Sequence, residues 1–284
     1  MKRIAVLLLA VAALCACQNE KKVMARFVPE RSDDFVFENN LIAGRFYGQA
    51  LEGNPTSPGI DIWVKLPGKL VADEWYKGFL TESDEFYHHD HGGKDCYKVS
   101  VSLGGGASAP LLNGNLCYPA TNYRSYDIVE DTPEKVTFTL HYPEWTVADS
   151  VKVALDKTVT VVPDSYFCDV EDHYTFSGKD SLVIAAGINL HAAQETVKRM
   201  LVLPHSVAIW EQASDQTFEP EDGMLGVAVV MPESDVTFVT ADGTHLVACK
   251  RIVSGEPVRY SFGSCWSKGD IKTTDDWFNL VTEQ

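Results

Sequence analysis

Between Tyr87 and Lys98 the chain reads Tyr-His-His-Asp-His-Gly-Gly-Lys-Asp-Cys-Tyr-Lys, and three of its eight histidines fall within four residues. Imidazole titrates near neutral pH, so His88 or His91 could take or give a proton without a large shift, with Asp90 orienting one ring. Tyr97 could protonate a leaving oxygen. The same ligand types would also suit a divalent metal on His88, Asp90 and His91. Side chains this close in sequence, however, rarely converge on one ion without a distant fourth group. The expectation is proton chemistry without a cofactor, with the metal site as the alternative. The bland competitor is a hydrogen-bonded surface loop, although so many imidazoles and carboxylates are unusual as packing residues.

These groups need a scaffold. Alternation over Tyr97–Leu103 predicts that the histidine loop feeds a strand, and loops carried by a rigid sheet are where binding and catalysis concentrate. Upstream, Phe35–Glu38 and Leu41–Tyr47 flank an Asn39-Asn40 turn as a hairpin, followed by a strand at Ile60–Lys65 and one helical turn around Trp75. Downstream, Val136–Tyr142 alternates cleanly, Val147–Val162 continues it, and Pro163-Asp164-Ser165 turns the chain into Phe167–Phe176. Further β runs are Leu182–Leu190, Ser206–Ala213, Leu225–Val230, Val236–Thr240, Leu246–Val253 and Val258–Gly263. Helical patterning is confined to Ala192–Met200 and to the terminus Thr274–Val281, where Thr274 would be the N-cap. Many short strands separated by Gly, Pro and Asn turns predict an all-β fold, a single large β-sandwich over residues 26–284 with a short C-terminal helix.

Strand parity adds candidates. His191 sits at a strand end, distant from the loop in sequence but able to join it. Glu211 shares a face with Ile209 and Ala213, which implies partial burial, and could be its carboxylate partner.

The N-terminus reads as targeting rather than fold. Lys2 and Arg3 precede an apolar run, Ile4–Ala13, too short to span a bilayer. Leu14-Cys15-Ala16-Cys17 looks like a bacterial lipobox. Residues 1–16 would then be a signal peptide, Cys17 the lipidated residue and 17–25 a tether, placing the protein in the periplasm or on the cell surface with a lipid as its membrane contact. Removing Lys2 and Arg3 would leave the body two charges more acidic than the −16 of the whole chain. Such a surface repels phosphate backbones, so no nucleic-acid partner is expected. Cys96, Cys117, Cys168, Cys249 and Cys265 contain no Cys-x-x-Cys pair, and their odd number leaves at least one thiol free.

Several segments together resemble one family. They are Arg26–Phe35, Glu38-Asn39, Arg45 through Tyr47-Gly48 to Ala50-Leu51, Gly59–Lys65, Tyr87–Gly92 and Gly263–Asp270. This combination is similar to the domain-of-unknown-function family 4861, exported proteins of polysaccharide-degrading bacteria often encoded beside enzymes acting on pectin-type uronides. The family loop usually reads His-x-Asp-His-Gly, which maps onto His88, Asp90 and His91 and leaves His89 variable. Where relatives often carry Gly-Cys-Gly-Gly, this chain has Gly104-Gly105-Gly106 without the cysteine. The resemblance implies a supersandwich of the galactose-mutarotase type, although a fold does not fix a function.

It also implies a substrate class. Removing the proton next to a uronate carboxylate requires that carboxylate to be neutralised, for which Arg45 or Lys98 would serve. Among the tryptophans, Trp266 lies in a matching segment and could stack on a sugar ring. The leading expectation is a lyase or glycoside hydrolase on uronic-acid-containing oligosaccharides, using His88, His91, Asp90 and Tyr97. Two alternatives stand beside it: a sugar epimerase built on His91, His191 and Glu211, and a glycan-binding lipoprotein with no proton chemistry.

Overall fold

The computed structural model describes residues 21–52, 59–191, 199–212 and 220–284; the expected signal peptide and Cys17 lie outside them. Five strands come first: β1 (Val23–Val28), β2 (Asp34–Asn39), β3 (Ala43–Phe46), β4 (Ile60–Lys65) and β5 (Gly93–Asp95), paired antiparallel in that order. Helix α1 (Ala72–Thr81) lies between β4 and β5. The chain continues through β6 (Gly105–Leu112), β7 (Asn115–Leu116), β8 (Ser125–Asp131), β9 (Val136–Ala148), β10 (Val151–Val161), β11 (Phe167–Ser177) and β12 (Leu182–Asn189). Then come β13 (Arg199–Leu203), β14 (Ser206–Gln212), β15 (Met224–Val230), β16 (Val236–Val239), β17 (His245–Ile252) and β18 (Pro257–Trp266), and helix α2 (Thr274–Thr282) follows. An eight-stranded sheet has the order β13-β14-β15-β18-β11-β10-β9-β8, and a third sheet runs β16-β17-β12-β6-β7.

The core explains the layering. Phe35, Phe37 and Ile62 of the first sheet, Ile184 and Val247 of the third, and Phe138, Val170 and Phe262 of the eight-stranded sheet share one buried cluster. Phe35 meets Phe138 with ring centroids 4.5 Å apart, and Phe37 meets the edge of Phe262 at 5.5 Å. A parallel bridge between Ile60 and Gly104 joins the two smaller sheets edge to edge, so together they cover the large one. The all-β sandwich with a short C-terminal helix is therefore what the patterning predicts.

Local expectations differ in five places. The segment after β5 is no strand: Ser100 adopts a left-handed φ of 49°, and Ser102 Oγ donates to Val99 O, which bends the chain before β6. The run expected at Val147–Val162 is cut by a turn at Asp149-Ser150, and β9 extends to Ala148 through Pro143, where a register shift against β10 accommodates the missing N–H. Around Trp75 a ten-residue helix replaces one turn, because a strand carboxylate caps it, as described below. Of the helix expected at Ala192–Met200, Arg199 and Met200 open β13 and the rest lies outside the described residues. The terminal helix begins one residue early: Thr273 accepts from Asp276 N while the Asp276 carboxylate accepts from Thr273 N, a capping box.

Inside the sandwich, Lys157 of β10 is fully buried against Asp172 of β11 at 2.7 Å, with the Tyr260 hydroxyl 2.9 Å from the ammonium. Ser108 of β6 donates to the same carboxylate and so ties the opposite layer to it. Burial pushes the Lys157 ammonium below its ordinary range, against the pull of Asp172. Breaking one half of such a pair strands a charge in the interior, at a cost of about 3–5 kcal/mol, whereas replacing both halves by apolar groups is often neutral. Lys157→Met alone should lower unfolding free energy by about that amount in urea titrations, and adding Asp172→Leu should recover most of it. Equal losses in the single and double variants would remove the ion pair from this account.

Candidate functional site

Two faces of the first sheet divide the labour. Phe35, Phe37, Phe46, Ile60 and Ile62 point into the main core. By alternation, Asp34, Val36 and Glu38 of β2, Arg45 of β3, Asp61, Trp63 and Lys65 of β4, and Asp95 of β5 take the other face. That face is not wet. Helix α1 and the turn Phe86–His88 cover it with Trp75, Tyr76 and Tyr87, a second buried cluster around Trp63. Glu38 fixes the cover: its carboxylate accepts from Val71 N at 2.6 Å and Ala72 N at 2.8 Å, capping α1 from a strand, while Lys65 Nζ binds it at 2.6 Å.

Beside this cap, Arg45 is buried among three carboxylates. Its Nε donates to Asp61 Oδ2 at 2.8 Å, its Nη2 to Asp95 Oδ2 at 2.7 Å, and its Nη1 lies 3.4 Å from Asp34 Oδ2. The guanidinium also lies 5.1 Å from the Tyr87 ring centre and 5.4 Å from that of Trp63. Arg31 supplies a second cation, donating to Asp34 at 3.1 Å and to the Tyr87 hydroxyl at 3.2 Å. Burial pushes the Asp34 and Asp61 carboxyls up, against the opposing pull of Arg45. Burial and the Asp61 charge likewise hold the Tyr47 hydroxyl, which donates to Asp61 Oδ2 at 2.9 Å, well above the ordinary phenol range. Asp61 Oδ1 is buried and, among the described residues, has no hydrogen-bond partner.

A cleft of about 270 Å³ opens over this cluster, lined among others by Arg31, Tyr47, Asp61, His88, Lys98 and Ser100. His88 Nδ1 lies 3.0 Å from the carbonyl of Asp95. A carbonyl can only accept, so Nδ1 carries the hydrogen and Nε2 is left as the basic nitrogen of the neutral ring. Lys98 is exposed at the rim.

The structure thus brings His88, Tyr97, Arg45 and Lys98 to one cleft and sends the other expected residues elsewhere. Arg45 is the counter-ion of buried aspartates rather than of a substrate carboxylate. Tyr97 is a wall: its hydroxyl donates to Gly104 O at 3.0 Å, and burial pushes it well above the ordinary range. Asp90 is a loop staple, accepting from Gly92 N and Gly93 N and pairing with Lys268 at 2.8 Å. Partial burial works against these bonds, yet they hold its carboxyl below the usual range. His91 is exposed and stacks on Phe86 with ring centres 3.9 Å apart. His88, Asp90 and His91 therefore diverge, and among the described residues no group of three such side chains is placed to hold a metal. Trp266 is buried, donating to Asp222 O at 2.7 Å, and offers no face to a sugar. His191 and Glu211 do form a buried pair, Nδ1 to Oε1 at 2.6 Å, behind Tyr97, whose ring meets His191 edge-on at 4.8 Å; His91 does not join them.

Asp34, Asp61, Tyr47 and Arg31 escape the sequence reading. The available signal is an acid or base at same-parity positions of adjacent strands, which amounts to an ion network only if the face is covered.

Fold and site together define an all-β sandwich with an acid–base cleft on the outer face of its first sheet. The chain belongs to the family described as Domain of unknown function (DUF4861), which it matches over residues 12–284. It is 30% identical over 276 residues, 91% of its length, to "Uncharacterized protein P7" of Formosa agariphila, and it spans 66% of that relative. Among solved structures, a candidate aldose 1-epimerase from Klebsiella pneumoniae is similar at 9% identity, with 92% of this chain and 86% of that one covered and a TM-score of 0.43. The 4-alpha-glucanotransferase of Thermococcus litoralis is similar at 8% identity, covering 86% of this chain and 40% of that one, with a TM-score of 0.37. No function follows from likenesses at this level.

The segment that walls the cleft is anchored at its far end by a buried histidine. His245 Nε2 accepts from Leu103 N at 3.2 Å and lies 3.3 Å from the Tyr118 hydroxyl. Burial lowers its pKa to about 4. The unfolded chain, whose histidine titrates near the usual ~6.5, therefore binds more protons than the folded one between those values. Stability should fall as pH drops through that window, by up to roughly 3 kcal/mol at about 1.4 kcal/mol per pKa unit. His245→Gln, whose amide oxygen can still accept from Leu103 N, should lose this component. Denaturant midpoints followed from pH 7 to pH 4 test it, and parallel profiles for the two proteins would refute it.

Proposed function

We propose that the protein is an exported, lipid-anchored enzyme that cleaves uronic-acid-containing oligosaccharides, with His88 as its base. One observation carries this reading: His88 has its Nδ1 hydrogen committed to Asp95 O, so a basic Nε2 belongs to a cleft that also holds accessible Lys98. Lys98 and Arg31 provide positive charge for a uronate carboxylate, which acidifies the adjacent carbon. In an elimination, the His88 nitrogen takes the proton from that carbon, the carbon–oxygen bond to the leaving sugar breaks as the carbon–carbon double bond forms, and the imidazolium returns the proton to the departing oxygen. No water and no co-reactant is consumed. A neutral imidazole can both accept a proton and return it.

Incubation with galacturonate oligosaccharides should generate an unsaturated uronate, read by its ultraviolet absorbance and by chromatography of the fragments. His88→Ala should lower kcat by at least about 100-fold, the usual worth of a positioned acid–base group. Lys98→Met should act mainly on KM, and His91→Ala should leave turnover nearly unchanged. Full activity in His88→Ala would end the assignment, and loss in His91→Ala would move the chemistry to the loop tip. Fragments without the ultraviolet signal would replace elimination by hydrolysis.

A further inference from the structure

We propose that the buried His191–Glu211 pair is a positioning clamp for the cleft wall, not a second acid–base centre; the functional consequence rests on the cleft reading above. Its geometry points away from substrate. Glu211 is 1% exposed and His191 8%, and the ring of Tyr97 stands beside His191 as part of the cleft wall. What the pair reaches is backbone: His191 Nε2 lies 2.7 Å from the carbonyl of Lys98.

Proton positions follow from the partners. Because Lys98 O can only accept, His191 Nε2 carries a hydrogen. The 2.6 Å contact between Nδ1 and Glu211 Oε1 then holds one further proton, on nitrogen if the carboxyl is ionised and on oxygen if it is not. Either arrangement leaves the Nε2 hydrogen directed at Lys98. The second lone pair of that carbonyl takes Asn189 Nδ2 at 3.1 Å. Asn189 is itself fixed, its N–H donating to Gly104 O at 2.8 Å and its carbonyl lying 3.4 Å from the Tyr97 hydroxyl. The peptide after Lys98 is therefore held by two donors from the end of β12. Immediately beyond it, Ser100 sits at a φ of 49°, a conformation that persists only where its surroundings enforce it. Fixing this peptide sets the direction in which the Lys98 side chain leaves the wall.

Conservative and disruptive variants separate positioning from catalysis. In Glu211→Gln the amide can donate to Nδ1 while Nε2 keeps its hydrogen, so the clamp survives without a titratable carboxyl. Kinetics on galacturonate oligosaccharides should stay within about threefold of the parent. Glu211→Leu should raise KM by roughly tenfold with little change in kcat, and it should add nothing to the KM of Lys98→Met, because both act through one group. Asn189→Ala, which removes the other donor to Lys98 O, should shift KM in the same direction and serves where Glu211→Leu fails to fold. Amide hydrogen exchange across residues 97–101 should accelerate in Glu211→Leu and not in Glu211→Gln. A kcat loss of 100-fold or more in Glu211→Gln would make Glu211 a catalytic base and overturn the clamp. Unchanged KM and unchanged exchange in Glu211→Leu and Asn189→Ala would also overturn it. If the unaltered protein neither binds nor turns over galacturonides, the cleft reading falls on its own, and the exchange data still decide on the clamp.

Discussion

A guanidinium without water is the constraint on which the first sheet depends. Arg45 is 3% exposed, and the carboxylates around it come from the strand on one side and the two strands on the other. Desolvating any one of these groups alone would cost several kcal/mol, which is recovered only when all are held in good geometry. The arrangement is therefore close to all-or-none. It requires β2 to β5 in register, the aromatic cover of Trp63 and Tyr87 in place, and α1 seated above. Glu38 links the last requirement to the others, since the same carboxylate neutralises Lys65 and caps the helix. Cover and floor thus form as one unit.

That unit leaves charge unbalanced. Among the described residues, Arg31 and Arg45 face Asp34, Asp61 and Asp95, so the floor carries one more acid than base. Burial answers by raising the carboxyls of Asp34 and Asp61, and Asp61 Oδ1 has no hydrogen-bond partner among the described residues. A fold selected for stability alone would do better with apolar residues there. Retaining a half-satisfied ionic floor under an open cleft is the kind of local inconsistency that marks functional ground.

Patterning reveals the scaffold because the core obeys it: Phe35, Phe37, Ile60 and Ile62 alternate as a half-buried sheet must, and the main sandwich follows. The same alternation misleads at the site. Asp61 and Lys65 occupy the polar positions of β4 and read as a solvent face, yet both are buried, because the cover comes from α1, a helix with only a faint signature in the sequence. Its N-cap is a valine, and the group that caps it lies more than thirty residues earlier on a different strand. No local window contains that information. The histidine loop shows the opposite error. Its density of imidazole suggests a shared centre, but each side chain finds a different partner: a carbonyl for His88, Phe86 for His91, and Lys268 with two backbone amides for Asp90.

On the proposed reading, the chemistry narrows to one imidazole. A base must be neutral, present the correct nitrogen, and stand where a substrate can reach it. His91 meets the last condition, being exposed, but its ring is stacked on Phe86 and lies outside the lining of the cleft. The doubly bonded His191 lacks a free nitrogen for either transfer. His88 alone of the three combines a tautomer set by backbone with a place in the cleft. On the proposed reading its setting also supplies what proton abstraction beside a carboxylate requires, cations at Arg31 and Lys98 for the anion. On that same reading, exposed Lys98 and nearby Arg31 favour an anionic ligand over a neutral sugar, which would leave the Lys98 charge unused.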